Sequence, residues 1–407
     1  MLKSIIRKEL LSNLLSYKFS IIIILSTILI LVSIFVMYRD YCLALENYEI
    51  LRMKSEGPVV IPPTPLGIFA RGLDENLCRS YGVGLSGQIN VSSKQQSVNN
   101  IFKLFTAPDL LYVIKVILSL CATLFAFNIV SGEKEIGTLR QSLSCSLKRP
   151  VLIIGKWIGG FISFILPFFI AVLLGTIFVT LSPMVDMNPD NSIKLVLFLL
   201  SSMIYLAVFF SLGLLISCLT HRSSTSLVIS LFVWTILVFL IPNLGNILAR
   251  QFVEIPTVQQ LELKLEQSWT KNRFEKRRAD RSEHEEMDSR MRAENDKLTE
   301  DYRNRFNRLV KVSQNITRFS PAAAFTFLAT DIMGTGMSEE RKLKRAVLQY
   351  IKDGDDDKGD KPVFSYQRSS IKEVLGPEGL SSCLILILFN ILFFTGAHVA
   401  FLRYDVR

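Results

Sequence analysis

The chain has little with which to hold a metal or to move protons near neutral pH. Only three of its 407 residues are histidine and six are cysteine. No C-x-x-C pair or cysteine–histidine cluster is present, so a structural zinc site is not expected. His284 stands among Glu283, Glu285 and Glu286, but consecutive helical residues fan out by about 100° each, and a solvated helix face explains them better than converging ligands. The G-x-x-x-x-G-K-[ST] phosphate cradle is missing: Lys156 follows Gly155 but precedes Trp157, with no upstream glycine at the required place. Gly82, Gly84 and Gly87 match G-x-G-x-x-G in letters, yet no apolar strand leads into them and no helix of a βαβ unit follows. The run Lys352–Lys361, KDGDDDKGDK, lacks the alternating aspartates and closing glutamate of a calcium loop and reads as solvated. No catalytic residue, metal ligand or cofactor is assigned to this chain.

Charge is also scarce. Charged residues make up 20% of the chain and hydrophobic ones 50%, and mean hydropathy is +0.36, the balance of a membrane protein. A helix needs about 20 apolar residues to cross roughly 30 Å of hydrocarbon. Six runs qualify: 19–37, 110–130, 158–181, 196–219, 225–247 and 380–402. Lipid cannot satisfy bare backbone groups, so each is expected to be a helix, which predicts an all-α polytopic fold. The first run is longer than a secretory signal and lacks its small-residue cleavage site, so it is expected to be retained.

Lysine and arginine beside the spans set the expected orientation. Lys3, Arg7, Lys8 and Lys18 precede the first span. Lys134, Arg140, Lys148, Arg149 and Lys156 lie between the second and third, Arg222 between the fourth and fifth, and Arg403 and Arg407 after the sixth. All four segments fall on one side of a six-span path, which places both termini in the cytosol. The net charge of +10 is carried largely by such segments, where it meets anionic lipid headgroups, so nucleic acid is not an expected partner.

Two large segments remain for the other side. In 38–109, Pro58, Pro62, Pro63 and Pro65 disfavour helix, and Tyr81–Ser93 reads as a small strand-and-turn region. In 248–379, the stretch 261–312 has almost no proline or glycine. There Met291, Leu298, Tyr302, Phe306 and Leu309 recur at spacings of four and seven, the pattern of a long amphipathic helix or helical hairpin. After it, Ser320 precedes Pro321 like a cap and first turn, opening an apolar stretch too short to span. It suits a helix at the interface or one dipping back toward the bundle. Cys42 and Cys78 both fall on this side, which leaves one disulfide open.

Two inner elements are candidates for mechanism. Residues 1–18 place Leu2, Ile5, Ile6, Leu10, Leu14 and Leu15 near one helical face with Lys3, Arg7 and Lys8 beside it, an interfacial helix or a plain helical lead-in. The segment 131–157 starts acidic and ends basic. Glu133 and Glu135 suit the positive end of a short helix and Lys148 and Arg149 its negative end, while Gly137 permits close approach of another surface. An ordinary positive loop remains the alternative. Within the spans, Asn128 and Asn390 should face protein or a cavity, as helix-to-helix contacts or substrate contacts. Lys115 and Lys194 are placed to snorkel at the outer boundary.

The run Glu133-Lys-Glu-Ile-Gly-Thr-Leu139, then Lys148-Arg149, then Gly155-Lys156 opening an apolar run, resembles the E-x-E-x-G-T-L…R…G-K pattern of the ABC transporter type-2 permease family. The six spans, the amphipathic first helix with Arg7-Lys8-Glu9-Leu10 and the polar link Thr220–Ser224 are similar as well. The segment before the last span, with Ser320-Pro321 and Gly334-Thr335-Gly336, is similar to the branch with an enlarged extracellular insert.

The resemblance implies a permease in the plasma (inner) membrane that pairs with a second permease, identical or related. It would bind two cytosolic ATPase subunits, which carry the ATP and magnesium, and expel a substrate. It also implies that Glu133, Glu135, Gly137, Thr138, Leu139 and Arg140 contact the ATPase. The charged helices of 261–312 are not general to the family and could meet an envelope protein. Two other classes stay open: a membrane scaffold presenting those helices without turnover, and an intramembrane enzyme, for which the spans offer little beyond His398.

Overall fold

The computed structural model describes residues 2–54, 61–74, 80–83, 89–92, 108–144, 148–277, 283–356, 364, 366–374 and 376–404. Among them, six helices are long and apolar enough to cross a bilayer: Phe19–Met53, Leu110–Ile136, Arg149–Thr180, Pro189–Leu219, Ser223–Phe252 and Gly379–Leu402. The protein is an all-α polytopic membrane protein. Its described strands form one short antiparallel hairpin, β1 (Ser80–Val83) with β2 (Ile89–Ser92). Gly82 lies in β1, while Gly84, Gly87 and Cys78 lie outside the described residues.

Helix boundaries follow breakers rather than hydropathy. Helix α1 is Leu2–Leu14, and α2 runs unbroken from Tyr17 to Lys54. The sequence from Tyr38 to Lys54 holds no glycine or proline, so nothing stops the helix where the apolar run ends. The second span opens with α3 (Leu110–Tyr112), passes through a π-helical stretch (Val113–Leu118) and continues in α4 (Ser119–Ala126). Asp109 caps it, its carboxylate accepting from the Tyr112 N–H at 2.8 Å and the Arg71 N–H at 3.0 Å. Then come α5 (Ser131–Ile136), α6 (Thr138–Ser144), α7 (Arg149–Thr180), α8 (Pro189–Leu219) and α9 (Ser223–Thr235). Proline stands in the first turn of both α7 and α8, where its missing N–H costs no helix bond.

The chain divides into two compact units. The larger holds residues 1–238 and 321–407, with α8 at its centre. There Tyr205, Phe209, Phe210 and Phe198 are buried against the second span and α7. The short apolar helix α13 (Pro321–Met333) packs into this bundle: Phe325 stacks on Tyr205 with ring centroids 4.3 Å apart. Thirteen residues rise only about 20 Å, too little to cross, so burial against protein covers its apolar surface instead.

α14 (Met337–Asp356) and α15 (Ile371–Val374) lead to the last span, α16 (Pro377–Leu402). α14 carries helix into the acidic run as far as Asp356, where a solvated loop is expected from the sequence; residues 357–363 lie outside the described set. Lys194 is buried rather than snorkelling. It donates to the Ser369 carbonyl at 2.9 Å and pairs with Asp190 at 3.2 Å, because the chain returning before α16 covers it.

The smaller unit, residues 239–320, holds α10 (Ile241–Phe252), α11 (Val258–Lys276) and α12 (His284–Thr317). A Thr257/Gln260 capping box starts α11. Leu261, Leu265 and Met291 form the buried seam between α11 and α12. Lys276–Asp288 at 2.5 Å and His284 Nε2 donating to the Lys276 carbonyl at 2.9 Å tie the end at which α11 leads into α12. The histidine is thus spent on closing the hairpin, and no cluster suited to a metal occurs among the described residues.

Candidate functional site

One end of the larger unit gathers α1, α5, α6 and the start of α7. The gathering begins with two glycines on α7. A Cβ on Gly155 would stand 2.6 Å from Ile5 Cγ2, and one on Gly159 would stand 2.8 Å from Glu9 Cβ and 3.1 Å from the Ile6 carbonyl. Only glycine lets α1 lie this close, as small residues four apart do between membrane helices. α1 is therefore packed on the third span, not merely floating beside it.

That approach delivers Glu9 to Lys156. The lysine is 2% exposed, and its Nζ stands 3.0 Å from Glu9 Oε1 and 2.6 Å from Glu133 Oε1. Three elements, α1, α5 and α7, thus meet on one ammonium, which donates to both carboxylates. The group of three carries one positive and two negative charges, and Glu133 Oε2 is buried without a hydrogen-bond partner among the described residues. An ammonium so placed is held by its two partners, since burying a lone charge would cost several kcal/mol.

The expected single helix from Glu133 to Lys148–Arg149 is two helices. Gly137 adopts φ 83°, the left-handed conformation that ends a helix cheaply only at glycine, and its N–H donates to the Lys134 carbonyl at 3.3 Å. Thr138 starts α6 at once, its hydroxyl donating to the Glu133 carbonyl at 3.5 Å. Lys148 is the N-cap of α7 and Arg149 its first residue, so neither closes the expected short helix. Instead, the Arg149 guanidinium donates to the carbonyls of Leu402 at 2.8 Å and Tyr404 at 3.2 Å, pinning the end of α16.

The six residues singled out in the sequence divide into buried anchors and exposed surface. Leu139 is fully buried with Val130, Leu152, Ile153 and Phe401, and its side chain faces the core. Glu133 turns to Lys156. Glu135, Gly137, Thr138 and Arg140 are exposed, and a Cβ on Gly137 would meet nothing within 4 Å. The Glu135 carboxylate accepts from the Ser223 N–H at 3.0 Å, linking this loop to the start of α9. Ile136, which sequence reading passes over, is 78% exposed at the apex beside Gly137.

The intramembrane amides are not brought together. Asn390 Oδ1 accepts from Ser211 Oγ at 2.9 Å, and Ser211 Oγ accepts from Trp157 Nε1 at 2.9 Å, a polar chain across α7, α8 and α16. Asn128 is half-buried in the turn before α5, close to Gly132.

The fold and site define a polytopic membrane protein with an amphipathic helix docked on its third span and a surface loop between its second and third. A family model described as ABC-2 family transporter protein matches residues 4–406, and the chain belongs to that family. No match was found among curated proteins.

Proposed function

We propose that this chain is the permease subunit of an ABC transporter and that the apex Glu135–Arg140 receives the push of a separate ATPase. The observation that carries this reading is the junction at Lys156. An exposed apex of Ile136, Gly137 and Thr138 sits directly above a carboxylate, Glu133, that is bonded to a spanning helix and, through it, to α1. Packed elements with charged bonds move together, so a displacement at the apex reaches the third span and the docked helix without a further joint. Leu139 serves beneath the contact as its anchor in the core.

On this reading ATP and magnesium are held by two ATPase subunits, a second permease copy or relative completes the pathway, and the substrate is exported. Family membership and the absence of a phosphate cradle both support placing hydrolysis elsewhere. The distribution of lysine and arginine supports an inner-membrane protein with both termini in the cytosol, which puts the apex on the ATPase side. Residues 261–312 then lie outside, available to an envelope protein.

The test is co-purification in mild detergent from the native host, with Gly137→Trp as comparison. A stoichiometric ATP-binding protein that is lost in the variant is expected. An intact permease with no ATPase in either sample would favour a membrane scaffold presenting 261–312.

A further inference from the structure

A cavity of about 700 Å³ opens between the ends of α8 and α16 at the same end of the unit as the apex. Its wall is apolar along Leu215, Leu392 and Val399, and its mouth carries Lys134, Arg403 and Tyr404. Among the described residues, none that lines it is acidic. The mouth is built: Lys134 Nζ donates to the carbonyls of Cys218 and Thr220 (3.0 Å to the latter) and lies 4.8 Å from the centre of the Tyr404 ring. Those two bonds leave one of the three ammonium protons, and Arg403 is exposed with no carboxylate partner among the described residues.

The depth decides what fits. From Arg403 back to Leu392 along α16 is about 16 Å of helix rise, close to the half-thickness of a bilayer core of about 30 Å. Positive groups therefore stand at the helix ends, where headgroups lie, and the apolar wall continues for one leaflet. Leu392 and Leu219 are more than half exposed, so the groove is open sideways rather than closed like a substrate chamber. We infer that this groove binds one anionic phospholipid, its phosphate held by Lys134 and Arg403 and an acyl chain laid along α16.

Anionic lipid is concentrated in the cytoplasmic leaflet, the side to which the basic segments point. A lipid seated here touches Lys134, one residue from Glu133, and the end of α16. The site would make the coupling loop sensitive to the surrounding leaflet. The inference rests on the cavity and on the cytosolic placement of the basic segments proposed above, and does not require an ATPase.

The test is native mass spectrometry of the full chain in detergent, titrated with dioleoylphosphatidylglycerol or dioleoylphosphatidylcholine, with inorganic phosphate as competitor. One retained phosphatidylglycerol, preferred over phosphatidylcholine and not displaced by millimolar phosphate, is the expected result. Arg403→Gln should weaken it about fivefold, in line with the attraction of a single basic residue to an anionic surface. Val399→Trp, which fills the groove without touching the charges, should abolish retention while the melting temperature holds. Equal binding of both lipids, or retention untouched by both variants, would overturn the site. Displacement by phosphate would make it a soluble-anion site. A dimer lost in Val399→Trp with lipid retained would put a second copy in the groove.

Discussion

Lys156 Nζ donates to Glu133 Oε1 at 2.6 Å, joining the short helix α5 to the spanning helix α7, 23 positions later in the chain. Neither residue is unusual by itself. Their meeting makes the loop between the second and third spans part of the bundle, and Glu9 adds α1 to the same bond.

The first prediction concerns that ammonium. Lys156→Met keeps the length of the side chain but leaves Glu9 and Glu133 facing each other without a counter-charge. The expected loss is about 3–5 kcal/mol, the cost of removing one partner from a buried ion pair. Thermal unfolding in nanodiscs measures it. Lys156→Met combined with Glu9→Gln and Glu133→Gln should recover part of the loss; a triple variant no better than the single would show that the lysine acts through packing instead.

The docking of α1 can be tested at Gly159. Gly159→Leu puts a side chain where Glu9 Cβ and the Ile6 carbonyl stand. Overpacking of this kind costs about 1–3 kcal/mol, and here the cheapest relief is for α1 to leave. Amide exchange in residues 2–14 should rise sharply while α8 remains protected. Unchanged protection of α1 would mean that α7 can yield.

Ile136 and Leu139 should separate contact from stability. Leu139→Ala removes a fully buried side chain and should cost about 2–5 kcal/mol. Ile136→Ala, at an exposed position, should change stability by about 0.5 kcal/mol or less yet weaken capture of the proposed ATPase. Equal capture by wild type and Ile136→Ala would remove the apex from the contact.

The hairpin of α11 and α12 has a pH dependence of definite sign. The hydrogen bond from Lys276, then that from Asn272, holds the Asp288 carboxyl below its ordinary value of 3.8. A group depressed in the folded state stabilises above its unfolded value and loses that contribution as pH falls. Exchange protection at the turn end of the hairpin, around Asn272 and Asp288, should therefore be flat from neutral pH down to about 4 and fall below it. Asp288→Asn should show lower protection at neutral pH and a flatter acid limb.

Much of this architecture was legible in order along the chain. Uninterrupted apolar runs, the capping signal at Ser320-Pro321 and the heptad-like spacing from Met291 to Leu309 mark helices because helix stability depends on near neighbours and on the solvent around them. The motif Glu133–Leu139 was legible too, as a loop of mixed charge with a glycine in the middle. Its division into two helices was not, since only the left-handed φ at Gly137 distinguishes a terminating glycine from one that is merely small.

What the sequence by itself determined is the class of protein and the number of spans, because twenty apolar residues in a row have few stable states other than a membrane helix. Tertiary structure alone decided the partners: Glu9 with Lys156, Tyr205 with Phe325, Arg149 with the end of α16. Those contacts join positions far apart in the chain, and each depends on helix packing distances that no local pattern encodes. The same packing opened the groove between α8 and α16 and gave the lysine and arginine at its mouth a common target.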